Sequence, residues 1–181
     1  MEIFRAEKLN AERGNPRKRL LTRRAPGNVP YVVDNLWEWK RPEGFPNRRY
    51  SVFASPSGEL ANEAAQLAEQ LYRVEIHGDC RIAQIEEPDA REHPDCRNLK
   101  RLLVSFLYER GWMEEPMEKK RAIAALWAPC LEKEEVESIF SVEPLGEIRD
   151  ALWGAITIWD GARIVDPSKG LPFPDGEVFF E

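Results

Sequence analysis

The sequence predicts an α+β fold. Short alternating apolar stretches stand at both ends of the chain, helix-period apolar stripes fill its middle, and no internal repeat of solenoid length runs through it. The 181 residues (20.9 kDa) fit a single domain, with or without an attached subdomain. A chain of this length buries roughly 70% of its unfolded surface, so its core needs neither disulfide nor metal.

Glu2–Ala6 alternates and reads as a first strand. A stretch rich in Pro and Gly follows, from Gly14 to Pro46. Within it Val29–Val33 suggests one short strand, and Leu36–Trp39 either a strand or a single helical turn. A loop this long in a compact domain is usually functional. Arg49–Ala54 is a strand. Ser55-Pro56-Ser57-Gly58 then opens a helix that runs to about Gln70 and carries Leu60, Ala64, Leu67, Ala68 and Leu71 on one face. Leu71–Ile76 reads as a strand and Arg81–Ile85 as another. Four helical stripes follow. The first holds Leu99, Leu102, Leu103, Phe106 and Leu107, and the second Ile123, Leu126 and Trp127. The third holds Val136, Ile139 and Phe140. The fourth, Leu145, Ile148, Leu152, Ile156 and Trp159, stops near Asp160-Gly161. Two strands close the chain, Arg163–Val165 and Glu177–Phe180, joined by a loop from Asp166 to Gly176.

Composition narrows the function. No apolar run approaches the roughly 18 residues of a membrane helix, and Met1–Arg5 is not a signal peptide. Three cysteines, an odd number, argue against a disulfide framework and for a reducing cytosol. The net charge of -6 disfavours a non-specific nucleic-acid binder. It is unevenly spread. Arg13, Arg17, Lys18, Arg19, Arg23 and Arg24 form a basic stretch, read as a solvated loop or as a patch for an anionic partner, whereas Glu132–Glu147 is strongly acidic.

The chain has only two histidines, which leaves little room for His-based catalysis. Each belongs to an H-x-x-C pair, His77…Cys80 and His93…Cys96. Together they contain enough ligands for tetrahedral zinc, but such short pairs arise by chance and no metal is expected. Nothing marks either cysteine as an activated nucleophile. No glycine-rich phosphate loop is present.

Three residues at element ends make the remaining constellation: Arg5 in the first strand, Ser55 at a strand-to-helix junction and Glu177 opening the last strand. With Ser55-Pro56-Ser57 and Phe173-Pro174-Asp175-Gly176-Glu177 around them, they resemble the Arg-Ser-Glu type of the ADP-ribosyltransferase fold family. Pro56 stands where the family's Ser-Thr-Ser has Thr, and Asp175 where its turn has Gln or Glu. The run Tyr50–Ile76 is similar to small phage-encoded members, including anti-CRISPR ADP-ribosyltransferases. The resemblance covers roughly residues 1–76 and 161–181. It implies an ADP-ribosyltransferase-like split β-sheet over a single domain, 1–181, with a helical insertion at about 97–160.

It also implies a mono-ADP-ribosyltransferase that moves ADP-ribose from NAD, its substrate, to a macromolecular target in the host or bacterial cytosol. The net charge favours a protein target over a nucleic acid, while the basic stretch Arg13–Arg24 keeps the second open. A short chain of this kind suits an effector, a toxin or a phage inhibitor of host defence. Glu177 would stabilise the positive charge that develops on the ribose, Arg5 would anchor NAD, and Ser55 would position Glu177. Tyr50, Phe53 and Trp37 would supply aromatic faces to the cofactor. An NAD glycohydrolase would use the same site. Each residue also has an ordinary reading: Ser55 as a helix cap, Glu177 as a solvent-facing strand residue, Arg5 in a surface salt bridge, Trp37 as packing. The alternative function keeps the fold without catalysis, in a protein that blocks a host complex by binding it through Glu132–Glu147 and its tryptophans.

Overall fold

The structure is a computed structural model and describes residues 1–7, 27–64 and 70–181. It is a mixed α+β fold whose described residues fall into two compact units. One gathers residues 1–7, 42–64, 70–93 and 159–181. The other gathers residues 27–41 and 94–158. The basic stretch Arg13–Arg24 and the end of the helix expected to reach Gln70 lie outside the described residues.

The first unit holds the strands. β2 (Val52–Ala54), β6 (Val178–Phe180), β4 (Ile82–Gln84) and β5 (Arg163–Ile164) form one antiparallel sheet in that order. β1 (Phe4–Glu7) and β3 (Gln70–Arg73) form an antiparallel ribbon. Among the described residues a single bridge joins ribbon to sheet, with Phe4 and Ser55 exchanging both backbone hydrogen bonds at 2.8 Å. Strand alternation sorts the side chains. Ile3, Ala54, Ile82, Val178 and Phe180 form a buried apolar cluster with Val165, closed by Val52, Val74 and Leu171. Phe53 and Phe179 point to the other face, where Trp159 packs on Phe179 and Phe45 on Trp159.

The strands are shorter than their apolar runs. The Arg49–Ala54 strand begins at Val52 because Asn47 turns the preceding residues: its side-chain oxygen accepts from Arg49 N–H at 2.9 Å, and its carbonyl accepts from Tyr50 N–H and the Ser51 hydroxyl. The two closing strands do not pair with each other. Both pair with β4, which lies between them. The loop joining them is tied to β4 by Gln84, whose amide nitrogen donates to the carbonyls of Phe173 and Gly176 while its oxygen accepts from Phe173 N–H. At residue 176 only glycine fits, since a Cβ there would stand 1.9 Å from the Ile85 carbonyl oxygen.

The second unit is helical: α1 (Tyr31–Lys40), α3 (Asp95–Glu109), α4 (Met117–Ala124), α5 (Lys133–Phe140) and α6 (Leu145–Ala155). α2 (Gly58–Ala64) belongs to the first unit, where Ser57 accepts from Leu60 N–H at the helix start. The second unit takes in residues 94–158 together with a helix from upstream. That helix, α1, replaces the strand expected at Val29–Val33 and the strand or turn at Leu36–Trp39. It packs on α3, α5 and α6, and Val32–Trp39 are all buried.

Two polar side chains organise this interior. Asn35 donates to the carbonyls of Leu126 and Ala128 and accepts from Leu131 N–H, so one amide fixes the chain between α4 and α5. Asp95, 1% exposed, accepts from Trp37 Nε1, from the Thr157 hydroxyl and from the N–H groups of Thr157 and Ile158. Those two N–H groups are the reason the fourth stripe is not one helix. α6 ends at Ala155, and α7 (Ile158–Gly161) restarts with Asp95 in place of the missing intrahelical acceptors. A reciprocal capping box between Glu132 and Glu135 starts α5. Among the described residues no helix is long and apolar enough to cross a membrane.

Candidate functional site

Glu177 follows the close Gly176 contact and enters β6. Its N–H donates to the Glu87 carbonyl at 2.7 Å, and its carbonyl accepts from Ile85 N–H at 3.1 Å. The carboxylate is buried, 7% exposed. Oε1 accepts from Arg48 Nη1 at 2.8 Å, and Oε2 accepts from Ala90 N–H at 3.5 Å. Arg48 is buried as well, with its guanidinium 4.9 Å from the Phe53 ring centroid and 5.0 Å from that of Phe179. Burial pushes the Glu177 carboxyl above its ordinary range. The Arg48 charge and hydrogen bond pull it back only in part, and Asp89 adds to the rise. Sequence reasoning expected Glu177 either in a cleft or facing solvent. It missed Arg48, whose signal was an Asn-Arg-Arg run set directly before an apolar strand.

The register decides which candidates meet. β2 and β6 pair Ala54 with Val178, so one residue further on Ser55 stands opposite Glu177. Ser55 is buried on the face it shares with Phe53 and Phe179. Ser57, not Ser55, supplies the side chain that caps α2. Arg5 does not join them. Phe4 is the residue bridged to Ser55, so alternation sends its neighbour Arg5 to the opposite face, with Ile3, Ala54 and Val178. There Arg5 pairs with Glu7, and its Nη1 donates to the Phe53 carbonyl at 2.6 Å. The pairing thus sets Arg5 on the other face from the Ser55 and Glu177 positions.

The expected aromatic faces are otherwise engaged. Phe53 carries Arg48. Tyr50 sits in the Asn47 turn, half-buried. Trp37 belongs to the second unit, fully buried, with its indole N–H on Asp95 at 2.9 Å. Of the H-x-x-C pairs, His77 is exposed, with Cys80 Sγ 3.5 Å from its carbonyl, and His93 is buried 3.7 Å from Glu87. Among the described residues no group of three or more His, Cys, Asp or Glu side chains is disposed to hold a metal ion.

A second feature lies on the helical unit. A shallow groove of about 540 Å³ is lined by Trp39, Lys133, Glu134, Glu137, Ser138, Arg149 and Trp153. Trp39 and Trp153 meet edge to face at 4.6 Å, and Trp153 is 42% exposed. Glu137 accepts from Trp39 Nε1 at 2.8 Å and from Arg149 Nη2 at 2.6 Å, a hydrogen bond that raises the arginine's already high pKa. Arg149 lies over the Trp39 ring at 5.6 Å and Lys40 over the Trp153 ring at 6.0 Å. The groove unites part of the acidic stretch with two tryptophans, one of them 98 residues from its carboxylate partner.

Comparison with protein-family models, with curated proteins and with solved structures finds no match to this chain.

Proposed function

We propose that the chain is a binding protein: the sheet unit is a scaffold, and the Trp39–Trp153 groove of the helical unit meets a macromolecular partner. One observation carries this reading. Glu177 is buried, ion-paired with Arg48 and on the face of the sheet opposite Arg5. A carboxylate that stabilises charge developing on a substrate ribose must face that substrate with its charge uncommitted. A guanidinium already stacked on Phe53 and Phe179 takes that place instead.

A second reading, transfer of ADP-ribose from NAD to a protein, has one observation in its favour: the β2–β6 register, continued by one residue, sets Ser55 opposite Glu177. It requires Arg48 to leave Glu177 and a cation other than Arg5 to hold the pyrophosphate. Incubation with labelled NAD, with and without cell lysate, separates the two. The binding reading expects neither labelled protein nor released ADP-ribose. A labelled band that Glu177→Gln abolishes would replace it with the transferase, and released ADP-ribose lost in the same variant would replace it with a glycohydrolase.

A further inference from the structure

The outward side of α3 carries one sign of charge. Along this helix Leu99, Leu103 and Leu107 are buried, and the row on the far side is Arg97, Arg101, Val104 and Tyr108, all exposed. Eleven steps of about 1.5 Å make the row about 16 Å long. Exposed Lys100 flanks it, one turn from Arg97 and one from Val104. Between Cys96 and Tyr108 the sequence has three basic and no acidic residues. Arg97, Lys100 and Arg101 make no ion pair among the described residues. The one carboxylate on the exposed side of the helix, Glu109, stands at its C-terminal end, about 100° round from Tyr108. Two features of the row do nothing for the helix itself. Arg97 lies in the first turn, where the helix dipole disfavours a cation, and it repels Lys100 three residues on and Arg101 four residues on. Val104 and Tyr108 are 45% and 75% exposed, apolar surface laid in line with those charges. An occupant that offsets both is acidic at one end and apolar at the other.

We propose that this outer row of α3, which shares no residue with the Trp39–Trp153 groove, docks an acidic amphipathic helix of a partner protein. Carboxylates one turn apart on that helix meet Arg97 and Arg101, with Lys100 beside them, and its apolar side chains cover Val104 and Tyr108. Ridges of residues four apart on two helices interlock at this spacing, and each arginine fork takes a carboxylate by both oxygens. Glu109 sets the direction, since it repels the acidic end of the partner from Tyr108. A nucleic acid fits less well. Duplex DNA brings a charge about every 1.7 Å to a chain of net charge -6, and its phosphates offer nothing apolar to Val104.

The test uses the full chain at physiological ionic strength and three fluorescein-labelled probes, followed by anisotropy: a peptide with Glu and Leu at helical spacing, the same residues in an order without helical period, and oligo-dT. The helical peptide should bind most tightly. Arg101→Glu and Tyr108→Ala should each weaken it on the order of tenfold or more, and both side chains are exposed, so both variants should fold. Lys169→Glu, exposed on the sheet unit, changes the net charge as much as Arg101→Glu does and should leave binding within about twofold. The proposal is overturned if the helical peptide binds no better than the reordered one, if oligo-dT binds more tightly, if Tyr108→Ala binds like the native chain, or if Lys169→Glu weakens binding as much as Arg101→Glu. Self-association of the native chain that Arg101→Glu abolishes would assign the face to a second copy and overturn it as well. The labelled-NAD outcome bears on the proposed function and not on this face, so the two can fail separately.

Discussion

In the sheet unit Glu177 is buried against a cation, Arg48; in the helical unit Asp95 is buried against four neutral donors, an indole, a hydroxyl and two backbone amides. The first arrangement balances charge and does little else. The second supplies acceptors to backbone groups at a helix break that would otherwise have none. The same residue chemistry thus has opposite meanings: at Glu177 the negative charge is what the fold tolerates, and at Asp95 the oxygens are what the fold requires.

The largest effect that tests this contrast is Arg48→Met. It leaves the Glu177 carboxylate buried without its cation and should lower stability by about 3–5 kcal/mol at neutral pH in urea unfolding. The loss should shrink as the pH falls and Glu177 takes up a proton. A loss that persists unchanged at low pH would mean that Arg48 matters for packing and not for charge. Next comes Asp95→Asn, which keeps one carbonyl oxygen for the indole and backbone donors but gives up the charge-assisted bonds. A loss of about 1–2 kcal/mol is expected, and Asp95→Ala should exceed it because all four donors lose their acceptor.

Glu177→Gln breaks the Glu177–Arg48 pair from its other side: the amide oxygen can still accept from Arg48, but the buried guanidinium loses its anion, so a loss of about 1–3 kcal/mol, below that of Arg48→Met, is expected at neutral pH. The sign with pH follows from the raised carboxyl. Its folded pKa exceeds the ordinary value of 4.5, so its stabilising contribution is complete below that pH and is lost as the pH rises through the folded pKa. Measured against Glu177→Gln, the native chain should therefore lose stability from about pH 4.5 upward. If Glu177→Gln instead costs as much as Arg48→Met, the buried cation rather than the carboxylate is the group that the pair serves.

The amphipathic parts of both units were legible in the sequence. α3 shows its Leu99, Leu103 and Leu107 stripe and α5 its Val136 and Phe140 because each has one buried face and one wet one. α1 was not legible, because Val32–Trp39 are buried all round and leave no 3.6-residue period to read, while Val32 and Val33 favour extended structure. The halt of α6 at Ala155 was equally hidden, since it depends on a carboxylate 62 residues earlier. At the candidate site, the sequence singles out Ser55 and Glu177 by their positions at element ends. Arg5 was separated from them by a one-residue register that only pairing reveals, and Arg48 was passed over because its partner is 129 residues away.

Arg5 carries a consequence of its own. Beyond the Phe4–Ser55 bridge the ribbon leaves β2, and the guanidinium takes the Phe53 carbonyl that a continuing ladder would have used. The junction is thus a seam closed by one backbone pair and one side chain, whereas β2, β6 and β4 are laced along their lengths. Local opening along such a seam breaks these hydrogen bonds and the packing of Ile3 in the apolar cluster, and it leaves every hydrogen bond between β2 and β6 in place. The two sheets are therefore separable in kind: Ile3 is the residue by which the N-terminal strand shares the apolar cluster of a sheet whose own ladder does not depend on it.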